Sequence, residues 1–233
     1  MKDPSILNSH SMSTVAADLK PRKSAVQDRS AVTIEALHVA AIQVLTREGL
    51  GRCTTTRVAE RAGTSVGSLY QYYPNRDALL AAVLERHLDD VAGRVERVCR
   101  EHCGKPVHEM ASALVTVFLA AKLRDPAQSK ALYAVAGERG GTELAARASA
   151  RMVAAIAGML ASAPDAYFDD PAVTAAISLS SLVGPVRALL EGQAPPGFEA
   201  SLERQLVLLL KAYLQAHLLR PQGPSKPAEP PGA

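Results

Sequence analysis

The pentapeptide Gly63-Thr64-Ser65-Val66-Gly67 has the pattern G-x-S-x-G, in which hydrolases present a serine nucleophile. That chemistry needs a buried strand directly before the pattern, because the strained strand-to-helix turn exposes the serine oxygen. The preceding residues, TTTRVAERA, are charged and helix-forming, and no glycine-rich segment after an earlier strand is available for an oxyanion hole. The sequence therefore predicts that Ser65 caps a helix and that the protein is not an enzyme.

A second group of residues that could bind a metal or be oxidised comprises Cys99, His102 and Cys103. Their spacing of i, i+3 and i+4 places them on one face of a predicted helix, where they could hold a soft metal or be oxidised. A fourth ligand cannot be named, and cysteines on helices usually pack as small hydrophobes. Metal or redox sensing therefore remains an alternative, and no cofactor is predicted. The odd number of three cysteines argues against a disulfide framework.

The elements that must position these residues are predicted to be helices. Apolar residues recur at helical spacing, as in Ile34, Leu37, Ala41 and Val44, and no long segment alternates with period two. Alanine-rich runs such as ELAARASARMVAAIAGMLA favour helix as well. We expect an all-α protein.

Glycine and proline divide the 233 residues into four parts. Residues 1–29 are predicted to be a tag-like and flexible arm, 30–76 a helix-turn-helix domain, 77–219 a helical domain, and the proline-rich residues 220–233 a disordered tail. In the second domain, we expect a helix from about Asp77 to about His102, followed by helices at about 107–123, 126–137, 142–162, 171–191 and 198–219. Thr142 and Asp170 are predicted N-caps.

The helix-turn-helix prediction rests on cap and turn residues. Thr54 or Thr55 would cap one short helix, Gly63 would form the turn, and Ser65 would cap a second short helix that runs through Tyr73. The chain has a net charge of only +3, but residues 22–76 contain eight Lys and Arg against four Asp and Glu. This basic N-terminal third is suited to phosphate.

The stretch TTTRVAERAGTSVGSLYQYYPNRDALLAAV, residues 54–83, resembles the DNA-binding signature of the TetR family of transcriptional regulators. The resemblance implies a homodimer that binds double-stranded operator DNA through a three-helix domain. It also implies a helical body that binds a small-molecule effector and dimerises through its last two helices.

The resemblance also assigns roles by position. It places base contacts on Val66, Gly67, Ser68 and Gln71, and backbone contacts on Thr54, Tyr70, Tyr72 and Arg76, with the caps Thr55 and Ser65 on the same surface. The chemistry agrees: Gln71 can bond an adenine edge and Val66 can touch a thymine methyl, while hydroxyl and guanidinium groups suit phosphates. Many relatives have a polar or basic residue where this chain has Val66. Tyr70 and Tyr73 can instead belong partly to the core.

The helical body has no motif of its own. The predicted effector pocket is lined by Phe118, Tyr133, Met152 and Ile177, and because no buried charge pattern is recognisable, the expected effector is apolar or amphipathic. The last helix is apolar around its circumference, which predicts that it is covered on two sides. The predicted dimer interface comprises Val183, Leu206, Leu209, Leu210 and Tyr213.

The function predicted from the sequence is a repressor that an effector releases from a palindromic operator. The alternatives are an enzyme built on the helical body and a helical adaptor without DNA binding. No apolar run approaches the ~20 residues that span a bilayer, and no export signal is recognisable, so we expect a cytoplasmic protein without a membrane partner.

Overall fold

The computed structural model describes residues 23–138 and 140–218, which form helices joined by short turns. The elements are α1 (Lys23–Glu48), a 3-10 turn (Leu50–Arg52), α2 (Thr55–Arg61), α3 (Val66–Tyr70), α4 (Arg76–Glu101), α5 (Val107–Leu123), α6 (Pro126–Ala136), α7 (Gly141–Ala161), α8 (Pro171–Glu191) and α9 (Phe198–Gln215). Within the described ranges, the only β contact is an isolated bridge between Ala166 and Leu218. The all-α prediction is confirmed.

Capping explains why the helices of the second domain begin close to the predicted positions. The Asp170 carboxylate accepts hydrogen bonds from the backbone N–H groups of Ala172 and Val173, directly before Pro171 at the first helical position. Asp125 caps α6 in the same way and accepts from the Gln128 N–H at 2.9 Å. Helix α8 continues through Pro185 to Glu191.

Other ends differ from the prediction. Helix α1 begins at Lys23, inside the range 1–29 assigned to an arm. The prediction missed this start because the residues before Ile34 lack the apolar spacing on which it relied. Helix α3 ends at Tyr70, not Tyr73, and α9 ends at Gln215. Thr142 does not cap α7, because Gly140 occupies the N-cap in a left-handed conformation. The predicted tail, 220–233, lies outside the described residues.

Two hydrophobic cores organise the chain. The first packs α1, α2, α3 and the beginning of α4 around residues such as Leu37, Val58, Leu69 and Leu79. The second packs the rest of α4 with α5, α7, α8 and α9, and Phe118 is among its fully buried residues.

Helices α4 and α6 belong to both cores. On α6, Leu132 and Val135 are buried in the first core, while the neighbouring Tyr133 packs against the second. On α4, the residues up to Leu84 belong to the first core and those from Val91 onward to the second. These two helices therefore connect the N-terminal domain to the helical body.

Helices α7 and α8 correct one expectation from the sequence. Their mean hydropathies of 1.4 and 1.6 over 18 residues make both long and apolar enough to span a membrane by composition. However, Arg151 of α7 forms ion pairs with Asp89 and Glu96 of α4, and Arg147 pairs with Glu85. A lipid-embedded α7 would leave these charges unpaired or carry them into the bilayer, so packing in a helical body explains this helix better.

Candidate DNA-binding surface, cavity and dimer face

Caps and a glycine turn position α2 and α3. The Thr54 side chain accepts a hydrogen bond from the Arg57 N–H at 3.3 Å, and Ser65 Oγ accepts from the Ser68 N–H at 3.0 Å. Gly63 lies between them with φ of 68°, in the left-handed region that glycine adopts without strain. The Ser65 hydroxyl also shares a 2.9 Å hydrogen bond with the Ser68 hydroxyl. Ser65 is therefore a helix cap, as predicted.

The ten predicted DNA-contacting residues lie in the helix-turn-helix and at the start of α4, and five of them are exposed. Thr54, Ser65, Gly67, Tyr70 and Gln71 are exposed, while Thr55, Val66, Ser68 and Tyr72 are half-buried. The hydroxyls of Thr55 and Tyr70 lie 3.3 Å apart, which ties the start of α2 to the end of α3.

Two of the predicted base-contacting positions on α3, Gly67 and Val66, differ in how they pack. A Cβ added at Gly67 would meet only Ser65 Oγ, at an ordinary 3.7 Å, so packing does not require glycine there. Because Gly67 has no side chain, the exposed surface of α3 is closer to the backbone at this position. Val66 packs partly against the first core, so only part of its side chain remains for a thymine methyl.

Tyr73 contributes to the packing of the first domain. Its hydroxyl hydrogen-bonds His38 Nε2 at 2.7 Å and links the end of the helix-turn-helix to α1. This agrees with the interpretation of Tyr73 as a core residue.

Arg76 has a role that the sequence did not indicate. Its Nε donates to the Cys53 carbonyl and its Nη2 to the Leu50 carbonyl, both at 2.8 Å. These bonds fasten the 3-10 turn before α2 to the start of α4, so a phosphate contact would have to use Nη1. Backbone acceptors carry no sequence signal, which is why this contact was missed.

Three other arginines of the first domain have no carboxylate partner among the described residues. Arg57 pairs with Glu48, whereas no ion pair is found for Arg47, Arg52 or Arg61 within residues 23–138 and 140–218. Arg61 donates to the Gln43 side chain at 2.6 Å. These three cations contribute positive charge to the domain that carries α3.

A cavity of about 260 Å³ lies in the helical body between α4, α5, α6, α7 and α8. Its wall is apolar at Leu84, Leu88, Leu132, Ala136 and Ala145, and polar at His87, Lys122, Ser129, Tyr133 and Arg187. A neighbouring cavity of about 590 Å³ shares Tyr133, Gly137 and Arg187 and extends to the end of α1 at Leu45. The cavities therefore adjoin the helices that belong to both cores.

Of the four predicted pocket residues, the structure places only Tyr133 at this cavity. Phe118 and Met152 are buried in the second core and line none of the cavities found in the described part of the chain. Ile177 is 48% exposed on the outside of α8. Helical periodicity identifies an apolar face, but it does not distinguish packed core from the wall of a void.

Lys122 is one of the cavity residues that the sequence interpretation missed. Only 7% of it is exposed, and it has no carboxylate partner among the residues that the structure describes. Its Nζ lies 4.6 Å from the centre of the Tyr133 ring, a cation–π contact. Burial lowers the pKa of Lys122 from 10.5 to about 8. A buried charge does exist here, and it lies four residues after Phe118, on the buried face of α5.

Two further polar groups at this cavity lack hydrogen-bond partners. His87 Nε2 and the Tyr133 hydroxyl are buried and unpaired in the described structure. Burial, followed by the positive charge of Lys122, lowers the pKa of His87 to about 4, so its imidazole is neutral at pH 7. Burial raises the pKa of Tyr133 to about 12, so its hydroxyl keeps its proton. Unpaired buried polar groups are uncommon and call for an explanation.

Sequence comparisons agree with this architecture. Residues 37–83 match the family model described as bacterial regulatory proteins, tetR family, and residues 106–214 match the one described as tetracyclin repressor-like, C-terminal domain. The chain belongs to the TetR family of bacterial transcriptional regulators. DNA binding and transcription regulation are therefore its general function.

Individual TetR-family relatives are distant. The nucleoid occlusion factor SlmA of Haemophilus ducreyi is 36% identical over 69 residues, which is 29% of this chain and 32% of SlmA. The matched part thus spans about a third of this curated relative.

Solved structures share the fold over most of both chains. A putative TetR-family regulator from Mesorhizobium loti has a TM-score of 0.68 at 18% identity, covering 82% of this chain and 99% of that one. SmeT, the repressor of the Stenotrophomonas maltophilia multidrug efflux pump SmeDEF, has a TM-score of 0.62 at 20% identity, with 85% and 98% covered.

The TetR-type body has an exposed apolar face on α8 and α9. On α8 it follows the spacing i, i+4, i+7, i+11 at Val173, Ile177, Ser180 and Gly184, and α9 repeats this spacing at Gln205, Leu209, Ala212 and Ala216. Ile177 is 48% and Leu209 50% exposed. Small residues within both rows let a second helix pair approach closely.

Burial separates the five residues that were predicted at the dimer interface. Leu206 and Leu210 are buried in the protomer's own core, in one row with Leu202 and Leu214, so their side chains cannot reach a second subunit. Val183 and Tyr213 are half-buried and pack against that core. Of the five predicted residues, Leu209 is the one that is exposed. The sequence indicated that α9 is apolar around its circumference, but it did not indicate which residues the protomer's own core buries.

The structure does not assemble Cys99, His102 and Cys103 into a ligand set. Helix α4 ends at Glu101, so His102 and Cys103 lie in the turn after it, where the Cys103 thiol donates to the Cys99 carbonyl at 3.3 Å. Cys99 is buried, burial raises its pKa to about 12, and Cys103 is exposed. His102 Nδ1 lies 3.0 Å from the Val98 carbonyl oxygen. Residues 23–138 and 140–218 contain no group of three His, Cys, Asp or Glu that could hold a metal.

Proposed function

We propose that this TetR-family regulator is a cytoplasmic repressor whose dimer binds a palindromic operator and releases it when a small effector fills the cavity. The observation that carries the proposal is the position of the cavity, which Leu84, Leu132 and Tyr133 line from helices shared by the two cores. A ligand there changes the packing of α4 and α6 against both domains.

The release is a shift between two populations. An effector must bind the form that does not fit DNA more tightly than the form that does, because a ligand with equal affinity for both shifts nothing. Displacing α4 relative to α1 would move the helix-turn-helix of each subunit. The spacing between the two recognition helices would then no longer match half-sites one helical turn apart.

The direct test is a gel shift with DNA from upstream of the protein's own gene. We expect a specific complex that dissociates when the effector is added. An adaptor without DNA binding would give no specific complex, and an activator would bind without repressing transcription from that promoter in vitro.

Replacing Gln71 by alanine should weaken operator binding by roughly 1–3 kcal/mol, mainly at one base position, because the bidentate contact of the amide with an adenine edge is lost. Fluorescence anisotropy with operators substituted at each position measures this. Gln193→Ala removes an exposed glutamine between α8 and α9 and should change nothing.

Arg76→Ala is the contrasting variant. It removes two charge-assisted hydrogen bonds to Leu50 and Cys53 and should weaken binding to all sequences alike. If Nη1 also binds phosphate, the slope of log affinity against log salt falls by about one contact. A change in sequence preference with Arg76→Ala but not with Gln71→Ala would show that these roles are reversed.

Sensing through the cavity and sensing through the cysteines predict opposite effects of removing the thiols on operator release. We expect the double variant Cys99→Ala/Cys103→Ser to keep its operator affinity and its response to the inducer, because Cys99 is buried and its thiol holds its proton. The measurement is operator release by the inducer, and by zinc, copper or peroxide. Loss of induction in a folded double variant would assign sensing to the cysteines.

A further inference from the structure

The cavity contains a charge arrangement that restricts its ligand. Lys122 and Arg187 are cationic, and none of the described residues lining the cavity carries a carboxylate. Arg187 is already compensated, because its Nε donates to Glu191 at 2.7 Å. Lys122 is therefore the one lining cation in the described structure that lacks an anionic partner.

The position of Lys122 is fixed by the fold. The buried Ser129 hydroxyl donates to the Lys122 carbonyl at 2.7 Å and holds the turn between α5 and α6. The Tyr133 ring lies against Lys122 Nζ. A site whose backbone is held in this way is organised before the ligand arrives.

We propose that the effector is a small amphipathic carboxylate, whose anionic group binds Lys122, His87 and Tyr133 while its apolar part occupies the rest of the cavity. This inference rests on the proposed effector role of the cavity. A carboxylate accepts hydrogen bonds only, and the three side chains can each donate: the ammonium, a neutral imidazole N–H at Nε2, and the phenol O–H. One anion thus satisfies both unpaired groups and the lysine.

The physical chemistry of burial supports this assignment. The lowered pKa of Lys122 shows that the interior disfavours its charge, and a carboxylate alongside would offset that penalty. A cationic ligand would instead bring a second positive charge to the same low-dielectric site. A neutral ligand would leave the ammonium uncompensated.

The volume of the cavity limits the size of the ligand. About 260 Å³ holds on the order of ten non-hydrogen atoms at roughly the volume of a water molecule each. Leu84, Leu88 and Leu132 provide the apolar part of the wall. A longer chain could continue past Tyr133 into the adjoining cavity of about 590 Å³.

The test compares three ligands of one chain length: octanoate, 1-octanol and octylamine. Isothermal titration calorimetry with the full-length protein at pH 7 should show octanoate binding at least about tenfold more tightly than octanol, and octylamine most weakly. Lys122→Met should reduce the affinity for octanoate to that for octanol, without changing octanol binding. Lys105→Met is the matched control and should keep the preference, because Lys105 is exposed in the turn before α5 and does not line this cavity.

Circular dichroism and thermal unfolding confirm that each variant is folded, and Tyr133→Phe provides a second variant with an unchanged ring. It should lower the affinity for octanoate severalfold. Octanol or octylamine binding as tightly as octanoate, a preference that survives Lys122→Met, or no octanoate binding at all would each overturn the proposal.

Operator release is measured separately on the same samples. Selective octanoate binding without release of DNA would support the anion site and overturn the effector role of the cavity. Release by the neutral ligand alone would keep the effector role and overturn the carboxylate assignment.

Discussion

Lys122→Met should make the ligand-free protein more stable at pH 7, by roughly 1–3 kcal/mol. The pKa of Lys122 falls from 10.5 to about 8 on folding, and this difference corresponds to at most about 3 kcal/mol of lost stability while the lysine is charged. Methionine fills similar space without a charge. The lost cation–π contact with Tyr133 offsets part of the gain.

The sign of this effect determines its pH dependence. Between about pH 8 and 10.5, the unfolded chain binds a proton that the folded chain has lost, so the stability of the parent protein rises with pH. The advantage of Lys122→Met is therefore complete below pH 8 and shrinks above it. The raised pKa of Tyr133 acts at higher pH and is common to both proteins, as is the neutral His87.

Urea unfolding at pH 7 and 9.5 measures the difference. Lys130→Met removes an exposed lysine from α6 and should alter stability by less than about 0.5 kcal/mol at either pH. A Lys122→Met variant less stable than the parent at pH 7 would mean that the lysine contributes to the fold through its contact with Tyr133.

Leu209→Glu and Leu210→Glu should fail in different ways, although they are adjacent. Leu209 is 50% exposed in the protomer, so glutamate there should leave the subunit folded but monomeric. An unpaired charge buried at a dimer interface costs about 3–5 kcal/mol. Leu210 is only 1% exposed within the second core, so glutamate there should unfold the subunit.

Light scattering and circular dichroism separate these outcomes. Val32→Glu introduces the same charge at another exposed apolar position, on α1, and should remain dimeric. Operator affinity should fall with loss of the dimer, because one half-site supplies only half the contacts. A folded, dimeric Leu209→Glu protein would exclude this face as the interface.

The fold could be predicted from the sequence because its signals are local. Asp170 before Pro171, Thr54, Gly63 and Ser65 act within a few residues, and the structure shows each cap or turn where it was expected. The extent of α1 could not be predicted, because its first turns lack the apolar spacing that reveals a helix.

The site was only partly predictable because its decisive contacts join distant residues. Arg76 donates hydrogen bonds to carbonyls 23 and 26 residues away. The cavity forms where the apolar faces of neighbouring helices do not pack against each other. Lys122 gave one usable signal, a charge on the apolar face of α5, yet its lack of a partner appears only in three dimensions. On α9, Leu206, Leu209 and Leu210 look alike in the sequence, and only their burial separates them.

The division of the chain into two cores has a consequence for how such regulators diverge. Substitutions of the exposed residues around Leu69 should change which operator is recognised, while substitutions around Lys122 should change what is sensed, because no residue of α3 lines the cavity that Lys122 lines. The consecutive residues Leu132 and Tyr133 pack against different cores, so a substitution in this part of α6 affects both cores. Inherited change should therefore accumulate in two separate sets, with α6 as the segment where a new ligand and an old operator must remain compatible.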